Sequence, residues 1–541
     1  MMARGQLSHA ENACRERLRH QPSHFDALHL LGVIALRTRR PDEAAELLQR
    51  AITLRPDHAD SHFNRGNALR DLARPEDALA SYNRAIAHRP DDAEAFHVRG
   101  DVLRVLGRIE DALASYAGAI QRDPDHAGAH NSHGTMLRIL RRPEAAIADF
   151  DRAIALRPDF AGAHVNRGDA LRELGRSEQA LPDYDTALTL KPDHAEAFYG
   201  RGAVLWELAR PEAALASYEN AIALKPDFAE ARFNKGVCQL AMGDYEHGWE
   251  GFEWRWRSAG MSRIRNFTTP PWRGDDPIAG KTILVVAEQG FGDSLQFCRY
   301  VPMLACQATV ILDMPRPLAR LFSRLNGVAG IVVSGEPLPA FDAWVPMMNL
   351  PLAFRTTVET IPAAVPYLFA DAEQSAGWHR RLAALPGLKV GIVWAGAPRP
   401  DDPNALAIDR RRSIDPLQFA PLAAIPALSL ISLQKGNVQA PAGLALHDWT
   451  DELHDFADTA ALIDALDLVI SVDTSVAHLA GALGKPVWVL NRYDQCWRWL
   501  RDRTDSPWYP TARLFRQPSA GDWASVIRDV ADALRQAASS T

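Results

Sequence analysis

The sequence predicts an α-helical solenoid followed by an α/β region with parallel sheets. The first half repeats every 34 residues, with proline, glycine and alanine at fixed positions in each repeat. This period is lost after Gly243, and from residue 280 short aliphatic runs alternate with helical segments. A repeat of this length is typical of stacked helical pairs. Buried apolar runs between helices are typical of strands in a parallel sheet.

Three residue columns define the repeat as the tetratricopeptide pattern of two antiparallel helices. Each proline ends the second helix of a pair, and small residues allow the helices to cross closely. We predict a superhelix over 1–262, with full repeats at about 25–228 and a capping region to 262. The columns are Pro22, Pro56, Pro90, Pro124, Pro158, Pro192 and Pro226; Gly32, Gly66, Gly100, Gly134, Gly168, Gly202 and Gly236; and Ala44, Ala78, Ala112, Ala146, Ala180 and Ala214.

The first helices of such an array line its concave face, so their polar columns are candidates for binding an acceptor. Asparagine amides can bind the backbone of an extended peptide without reading its sequence. A salt-bridged, solvated helix face is the alternative, and for any single residue it is favoured; for the whole groove, protein or peptide binding is favoured. The candidates are Asn64, Asn166 and Asn234 with Arg70, Arg104, Arg138 and Arg172, beside a further column of Asn67, Asp101, Thr135 and Asp169.

Composition excludes several classes of protein. The net charge of −7 gives no electrostatic case for nucleic acid or an anionic membrane surface. No apolar run approaches the roughly 18 residues that a membrane-spanning helix needs. Five dispersed cysteines without metal-ligand spacing predict reduced thiols and a cytoplasmic protein. We expect no integral membrane contact.

An aromatic segment follows the repeats at 244–258. It contains Tyr245, Trp249, Phe252, Trp254 and Trp256. Because the end of a solenoid must be capped, we predict a capping helix packed on the next domain. Residues 263–280 are predicted to be an irregular linker.

Two sets of strands are predicted after the linker. They suggest two Rossmann-like lobes, at 281–380 and 381–541, that face a cleft with ligands at the carboxyl ends of the strands. The first set is 282–287, 309–313 and 330–333, and the second is 389–394, 428–433, 468–472 and 487–490.

Loops after two of these strands carry the strongest candidate residues. In Glu288-Gln-Gly-Phe-Gly-Asp293, glycines let the backbone approach a ligand, and Asp293 either performs chemistry or caps the next helix. In the loop 471–478, the helix N-terminus presents N–H groups suited to phosphate, and Thr474 and Ser475 add hydroxyls. His478 lies one turn past Thr474 and faces the same ligand or the core. Capping by Asp473 or Thr474 is the alternative.

A third group of candidates comes from two further strand ends. Trp394 follows the strand at 389–394, and Gln434 and Lys435 follow the strand at 428–433. A cation near developing phosphate charge assists departure of the leaving group. Arg412 and Lys435 are therefore preferred as phosphate contacts over Arg410 and Arg411, which we expect to be solvated.

These motifs resemble glycosyltransferase family 9, the heptosyltransferase-like enzymes of GT-B fold. The segment 467–490, DLVISVDTSVAHLAGALGKPVWVL, joins Asp-Thr-x-x-x-His to Leu-Gly-x-Pro as the family does. Gly292-Asp293 matches the family's Gly-Asp, whose aspartate is the proposed catalytic base, and Arg412 lies where a basic residue contacts the donor. The resemblance covers about 280–535.

The EQGFGD loop and the tail RWLRDRTDSPWYPTARLFRQ look more like a bacterial subgroup that joins tetratricopeptide repeats to this domain. Some of that subgroup glycosylate proteins, including flagellins. Glu288-Gln289 and the repeat arm depart from the lipopolysaccharide heptosyltransferases. The incomplete asparagine ladder is similar to that of O-GlcNAc transferases, with interruptions at Val98, Ser132 and Gly200.

The resemblance implies an inverting glycosyltransferase that uses a nucleotide-sugar and requires no metal or other cofactor. Asp293 would be the general base, and Asp473, Thr474, Ser475, His478, Arg412, Gln434, Lys435 and Trp394 would bind the donor. The acceptor would be a protein held by the repeat groove. Two alternatives remain: a saccharide or lipid-linked glycan as the acceptor, or a non-catalytic scaffold with a relic transferase domain.

Overall fold

The computed structural model describes residues 4–258, 267–396, 403–436, 444–494 and 496–539. The chain forms two compact units, Met1–Val204 and Leu205–Thr541. This division differs from the sequence-based boundary at 262, because the last repeat and the aromatic segment belong to the same unit as the sheets. No helix in the described ranges has the length and apolarity needed to cross a membrane.

The first unit is a solenoid of antiparallel helical pairs, which confirms the predicted repeat architecture. Prolines at the first position of several second helices, such as Pro75, fit because the missing N–H is not needed there. The helices are α1 (Arg4–His20), α2 (Phe25–Arg37), α3 (Pro41–Leu54), α4 (Ala59–Asp71), α5 (Pro75–His88), α6 (Ala93–Val105), α7 (Ile109–Arg122), α8 (Ala127–Ile139), α9 (Pro143–Leu156), α10 (Ala161–Glu173), α11 (Ser177–Leu190) and α12 (Ala195–Glu207), the last of which spans the boundary between the units.

The glycine and alanine columns lie where the paired helices cross. A Cβ added at Gly100 would lie 2.5 Å from the Tyr116 ring, and one at Gly66 would lie 2.6 Å from the Tyr82 ring. The alanines of the third column, such as Ala78, have no exposed surface. The sequence periodicity therefore encodes the closest helix contacts of each repeat.

The second unit contains two parallel sheets flanked by helices, which confirms the α/β class. The strand order is β3-β2-β1-β4 in one sheet and β6-β5-β7-β8-β9 in the other. The strands are β1 (Thr282–Val286), β2 (Thr309–Met314), β3 (Val328–Val333), β4 (Ala343–Pro346), β5 (Leu388–Val393), β6 (Leu428–Ser432), β7 (Leu468–Val472), β8 (Val487–Asn491) and β9 (Ala512–Arg516).

The helices of the second unit alternate with these strands. Short 3-10 turns lie between them, including Glu253–Arg257, Thr450–Glu452 and Trp497–Trp499. The helices are α13 (Pro211–Leu224), α14 (Ala229–Met242), α15 (Tyr245–Phe252), α16 (Phe291–Phe297), α17 (Val301–Ala305), α18 (Arg316–Phe322), α19 (Leu350–Ala353), α20 (Ala372–Leu382), α21 (Pro403–Arg412), α22 (Ala420–Ala423), α23 (Phe456–Asp464), α24 (Ser475–Ala482) and α25 (Trp523–Ser539).

The aromatic segment packs into the core of the α/β region. The Trp249 ring lies edge-on to Trp497, with 5.4 Å between centroids, and its indole N–H donates to the Thr356 carbonyl at 3.0 Å. The Trp508 indole donates to the Tyr245 hydroxyl at 3.1 Å. Helix α15 thus caps the repeats by burying its aromatic side chains against the sheets' core, as a capping segment should.

A buried ion pair joins this segment to the loop after β1. The Arg255 guanidinium donates to both carboxylate oxygens of Glu288, at 2.7 and 3.1 Å, and the two side chains are 1% and 3% exposed. The Asn349 amide oxygen also accepts from Arg255, and the Met348 N–H donates to Glu288. Glu288 therefore anchors the aromatic segment to the loop after β1.

Candidate active site

The candidate residues gather where the loop after β1 meets the loops after β5, β7 and β8. In the five-stranded sheet β5, β7 and β8 are neighbours, so the carboxyl ends of these three strands meet at one edge. Such an edge is where open parallel sheets bind ligands. Helix α16 from the other sheet packs against helix α24 at this edge, and a Cβ at Gly292 would lie 2.9 Å from the His478 ring and 3.5 Å from the Ser475 Cα.

Asp293 lies in the first turn of α16, where its carboxylate makes both a hydrogen bond at the start of the helix and an ion pair. Its Oδ2 accepts a hydrogen bond from the Gly290 N–H at 2.9 Å, which stabilises the start of the helix. Its Oδ1 forms an ion pair with Arg498, and the carboxylate is 16% exposed. Each carboxylate oxygen can accept more than one hydrogen bond, so capping leaves Asp293 able to accept a proton.

Arg498 holds the Asp293 carboxylate from the other side of the cleft. Its side chain is 12% exposed, its Nε donates to the Gln296 side chain at 2.8 Å, and its guanidinium lies 4.5 Å from the Trp497 ring centroid. Burial disfavours its charge, but the combined interactions with Asp293, Cys496 and Asp473 outweigh burial and raise the pKa of Arg498. Arg498 therefore remains charged beside Asp293.

The N-terminus of α24 is not capped by the side chain of the residue before it. The Thr474 side chain makes no capping hydrogen bond, and its hydroxyl instead lies 2.9 Å from the Ser471 hydroxyl. The amide end of the helix thus stays directed at the cleft, where it favours an anion. Capping by Thr474, the alternative considered from sequence, does not occur through its side chain.

Asp473 lies in a set of positive charges. The Arg412 Nη1 donates to the Asp473 carbonyl at 2.7 Å. Burial alone would raise the pKa of the Asp473 carboxyl, but the surrounding charge, including that of Arg412 and Arg492, lowers it. Arg412 also pairs with Asp409 at 2.6 Å, and its guanidinium lies against Gly396, where a Cβ would come within 2.2 Å. The sequence-predicted Arg412 therefore belongs to this cluster.

His478 is buried and is held from two sides. Its Nδ1 lies 2.9 Å from the Tyr509 hydroxyl, its Nε2 lies 3.8 Å from Asp473, and its ring stacks on Trp499. Burial lowers the pKa of His478 to about 3, although Asp473 opposes this. The imidazole is thus neutral at physiological pH. Its packing against Gly292 is compatible with both predictions, a histidine that contacts a ligand and a histidine of the core.

Trp394, Gln434 and Lys435 serve mainly to connect loops. The Gln434 side-chain oxygen accepts from the N–H groups of Trp394 and Ala395 at 3.2 and 2.9 Å. Trp394 is 1% exposed, and its indole N–H has no partner within the described residues. The Lys435 ammonium donates to the carbonyls of Thr450, at 2.8 Å, and Leu453. Lys435 would have to leave these carbonyls to bind a phosphate.

The predicted groove residues do not form one uninterrupted ladder. Asn166 donates to Asn131 at 2.9 Å, and Arg138 pairs with Asp169 at 2.9 Å and Glu173 at 3.1 Å. Arg70, on α4, lies 3.6 Å from Asp71. The other candidates lie on separate helices: Asn64 on α4, Arg104 on α6, Arg172 on α10, and Asn234 on α14 in the second unit.

The neighbouring polar column has a structural explanation that sequence reasoning missed. Asn67, Asp101 and Asp169 each accept a hydrogen bond from the tyrosine of the paired helix, Tyr82, Tyr116 and Tyr184, at 2.7, 2.8 and 2.6 Å. Where the column carries Thr135, the paired position is Phe150, and the threonine hydroxyl donates to a backbone carbonyl instead. The sequence contains a signal for this pairing: a carboxylate or amide at 67, 101 and 169 goes with a tyrosine 15 residues later, whereas Thr135 goes with Phe150.

Arg498, Arg492 and Glu288 were not among the sequence-based site residues. Arg492 follows β8, pairs with Asp494 at 2.8 Å and contributes to the charge around Asp473. Arg498 and Glu288 pair with residues 205 and 33 positions away, so no local motif reveals them. In the sequence, Arg498 is noted only as the first residue of the tail RWLRDRTDSPWYPTARLFRQ.

Comparison with known proteins finds matches to two kinds of family model, one in each half of the chain. Tetratricopeptide repeat models match residues 23–91, 63–127, 97–159, 168–208 and 199–247. The model described as glycosyltransferase family 9 (heptosyltransferase) matches residues 454–503. The chain therefore carries tetratricopeptide repeats in its N-terminal region and, further on, a segment that is similar to family 9 glycosyltransferases. That segment contains Asp473, His478 and Arg498.

Among curated proteins, the chain is 30% identical over 334 residues to Protein FlbA of Caulobacter vibrioides, covering 56% of this chain. The chain spans about half the length of this relative, 54%. Solved structures resemble the repeat region: YrrB, a TPR protein with an unusual peptide-binding site (28% identity, 36% of this chain and 99% of that chain, TM-score 0.32), and Pseudomonas aeruginosa pilF (20% identity, 38% and 95%, TM-score 0.36).

Proposed function

We propose that the protein is an inverting glycosyltransferase that moves a sugar from a nucleotide-sugar to a hydroxyl group of a protein acceptor. The observation that carries this proposal is the approach of α16 to the N-terminus of α24, which brings a carboxylate and an anion-binding helix end to one cleft. The match of residues 454–503 to family 9 glycosyltransferases supports the reaction class. We further propose that the two α/β lobes form a GT-B fold.

In this proposal the C-terminal lobe binds the donor. The free amide end of α24, the Thr474 and Ser475 hydroxyls and Arg412 hold the phosphates. Asp473 and neutral His478 lie beside the sugar or the phosphate. These groups neutralise the leaving charge, so the proposal requires no metal ion or other cofactor.

Asp293 acts as the general base. It accepts the proton of the acceptor hydroxyl as that oxygen attacks the anomeric carbon. The bond from the anomeric carbon to the phosphate oxygen breaks, and its electron pair leaves with the nucleoside phosphate. A single displacement of this kind inverts the configuration at the anomeric carbon.

The acceptor is a polypeptide bound by the repeat arm, and flagellin-like proteins in the cytoplasm are the class to test first. Tetratricopeptide repeats suggest protein or peptide binding, and tethering an acceptor raises its effective concentration at the transferase. We expect no interaction with nucleic acid. Arg70 and Arg104 are suitable for testing the arm because both are exposed and lie on the first helices of their repeats.

The test combines a nucleotide-sugar panel, candidate acceptor proteins and mass spectrometry of the acceptor. Asp293→Asn should reduce transfer by at least about 100-fold, since a general base contributes 100-fold or more, while donor affinity by calorimetry stays near that of the wild type. Asp532→Asn, an exposed carboxylate on α25, is the control. Undiminished turnover in Asp293→Asn would eliminate this residue as the base.

One finding favours a different acceptor, because the matched family is described as heptosyltransferase. A saccharide or lipid-linked glycan would then be modified, and the arm would recruit partners only. Arg70→Ala/Arg104→Ala separates the two versions: a higher KM for the protein acceptor with unchanged kcat supports the protein version. A scaffold without catalysis would bind no nucleotide-sugar at all.

A further inference from the structure

Three metal-ligating side chains converge in the first unit, apart from the candidate active site. Glu94 and His97 lie one turn apart on α6, and His126 precedes α8. One ligand atom from each lies within 4.8 Å of the other two. The Glu94 carboxylate is 3.0 Å from the His126 Nε2 and 3.8 Å from the His97 Nδ1. The three side chains line a cavity of about 470 Å³.

The first repeat also has a carboxylate and two histidines in these columns, Asp26, His29 and His58, but there the His29 Nδ1 lies 2.9 Å from the Ser61 hydroxyl. Asp26 and Asp60 occupy the column of Glu94, and each lies beside an arginine of the next helix end: Arg55, at 3.9 Å, and Arg89, at 2.7 Å. The next residue in that arginine column is Asp123. Glu94 therefore has no arginine from this column beside it, and the imidazoles of His97 and His126 are its neighbours instead.

His97 is oriented as a metal ligand should be. Its Nε2 lies 3.3 Å from the Ser132 hydroxyl, which can accept the Nε2–H. Its Nδ1 is buried and makes no hydrogen bond within the described residues. Metal-bound histidines commonly donate their second N–H to an oxygen in this way. The lone pair of Nδ1 is thus left on the side of Glu94.

His126 requires a small rearrangement to bind a metal. Its Nδ1 accepts from the Ala129 N–H at 3.0 Å and so caps α8, which leaves the proton on Nε2. Binding through Nε2 moves that proton to Nδ1 and breaks the cap, at a cost of about 0.5–2 kcal/mol. A zinc site contributes on the order of 10 kcal/mol. The rearrangement is therefore affordable for a metal with a strong preference for imidazole.

We propose that Glu94, His97 and His126 bind a divalent transition metal ion of the zinc class. Two imidazoles and one carboxylate would occupy three of the four positions of a tetrahedral metal ion. The cavity has room for water or a partner's side chain at the fourth position. Hard cations such as Mg²⁺ prefer oxygen ligands and fit this set poorly. The bound metal would tie α6 to the start of α8.

The repeats themselves supply matched variants for a test. His97→Phe introduces the residue found 34 positions earlier, Phe63, and His126→Asn keeps a side chain that caps helices well. His133→Arg is the control: His133 and His130 also flank a carboxylate, Asp149, at 2.7 and 3.2 Å, and arginine occupies the His133 column in the repeats on either side.

The experiment titrates the full chain with ZnCl₂ by calorimetry and with CoCl₂ by visible absorption. We expect one equivalent to bind to the wild type and to His133→Arg with equal affinity. His97→Phe and His126→Asn should each weaken binding at least about 100-fold, more than loss of an outer contact does, while circular dichroism shows unchanged helix content. Wild-type affinity in either variant, or no binding to the wild type, would overturn the proposal. Glu94→Gln replaces any variant that does not fold.

Discussion

The buried pair between Arg255 and Glu288 gives a quantitative prediction about how the aromatic segment is joined to the rest of the second unit. Replacing Arg255 with methionine keeps the length of the side chain but leaves the Glu288 carboxylate buried with the Met348 N–H, at 3.2 Å, as its remaining described partner. Removing one member of a buried pair costs about 3–5 kcal/mol, because the remaining charge is neither solvated nor paired. We expect Arg255→Met to lower the free energy of unfolding of this unit by that amount.

The double variant Arg255→Met/Glu288→Met should be more stable than Arg255→Met alone. It removes both charges, but the Asn349 side-chain oxygen, the Phe252 carbonyl and the Met348 N–H lose these partners, at about 1–3 kcal/mol for each group that stays unpaired. The two substitutions are therefore non-additive, with a coupling energy of at least about 2 kcal/mol. Arg273→Met is the control, since Arg273 pairs with Glu253 on the same segment but is 53% exposed; it should cost at most about 1 kcal/mol.

Urea unfolding of the full chain, followed by tryptophan fluorescence, measures these differences. The probe is suitable because Trp249, Trp497 and Trp508 form the core around the aromatic segment. Burial raises the pKa of Glu288 although Arg255 opposes this, so the deficit of Arg255→Met should shrink as the pH falls and the carboxyl group takes up a proton. A loss below about 1 kcal/mol in Arg255→Met, or strict additivity in the double variant, would refute the reasoning.

Three further predictions follow from single contacts. Burial lowers the pKa of His478 to about 3, whereas an unfolded histidine has a pKa near 6.5. The free energy of unfolding should therefore fall as the pH drops below about 6.5, by about 3 kcal/mol at about pH 4. In acid denaturation, His478→Gln should lack this loss. Tyr184→Phe removes a 2.6 Å hydrogen bond to Asp169 and should cost about 1.5–3 kcal/mol in urea unfolding, and a loss below about 0.5 kcal/mol would contradict the structural reading of that column. Gly292→Ala forces a Cβ to within 2.9 Å of His478 and should cost about 1–3 kcal/mol and reduce transfer, whereas Gly290→Ala, 3.2 Å from a movable carboxylate oxygen, should cost less; equal effects in the two would show that the contact between α16 and α24 is not tight.

The elements that sequence predicted well are those whose information is local and periodic. The proline column was predicted to end the second helix of each pair, and α5 indeed ends at His88, two residues before Pro90. Strands buried on both faces, such as β1 and β7, were found as continuous apolar runs. The strands β4 and β9 were not predicted: each lies at the edge of its sheet, β4 is four residues long and β9 carries Arg513 and Arg516.

Within the candidate site, the residues that sequence could name are those presented by a loop motif at a strand end. Asp293, Thr474 and His478 belong to this class, and their assigned chemistry remains a prediction. Arg498 reaches Asp293 across 205 positions of sequence, so no window or spacing could pair them. The same holds for Glu288, whose partner precedes it by 33 residues in a different segment.

These non-local contacts bear directly on how the proposed base could be controlled. The loop 288–293 carries Glu288 at its start and Asp293 at its end, and each carboxylate is held by an arginine from another segment. Arg255 comes from the segment that caps the repeats, and Arg498 comes from the loop after β8. The aromatic segment thus fixes one end of the loop, and the proposed base lies at the other end. Replacing Arg255 should therefore reduce transfer as well as stability. The Arg255→Met/Glu288→Met variant separates the two effects, because it lacks the ion pair that fixes the loop but is more stable than Arg255→Met.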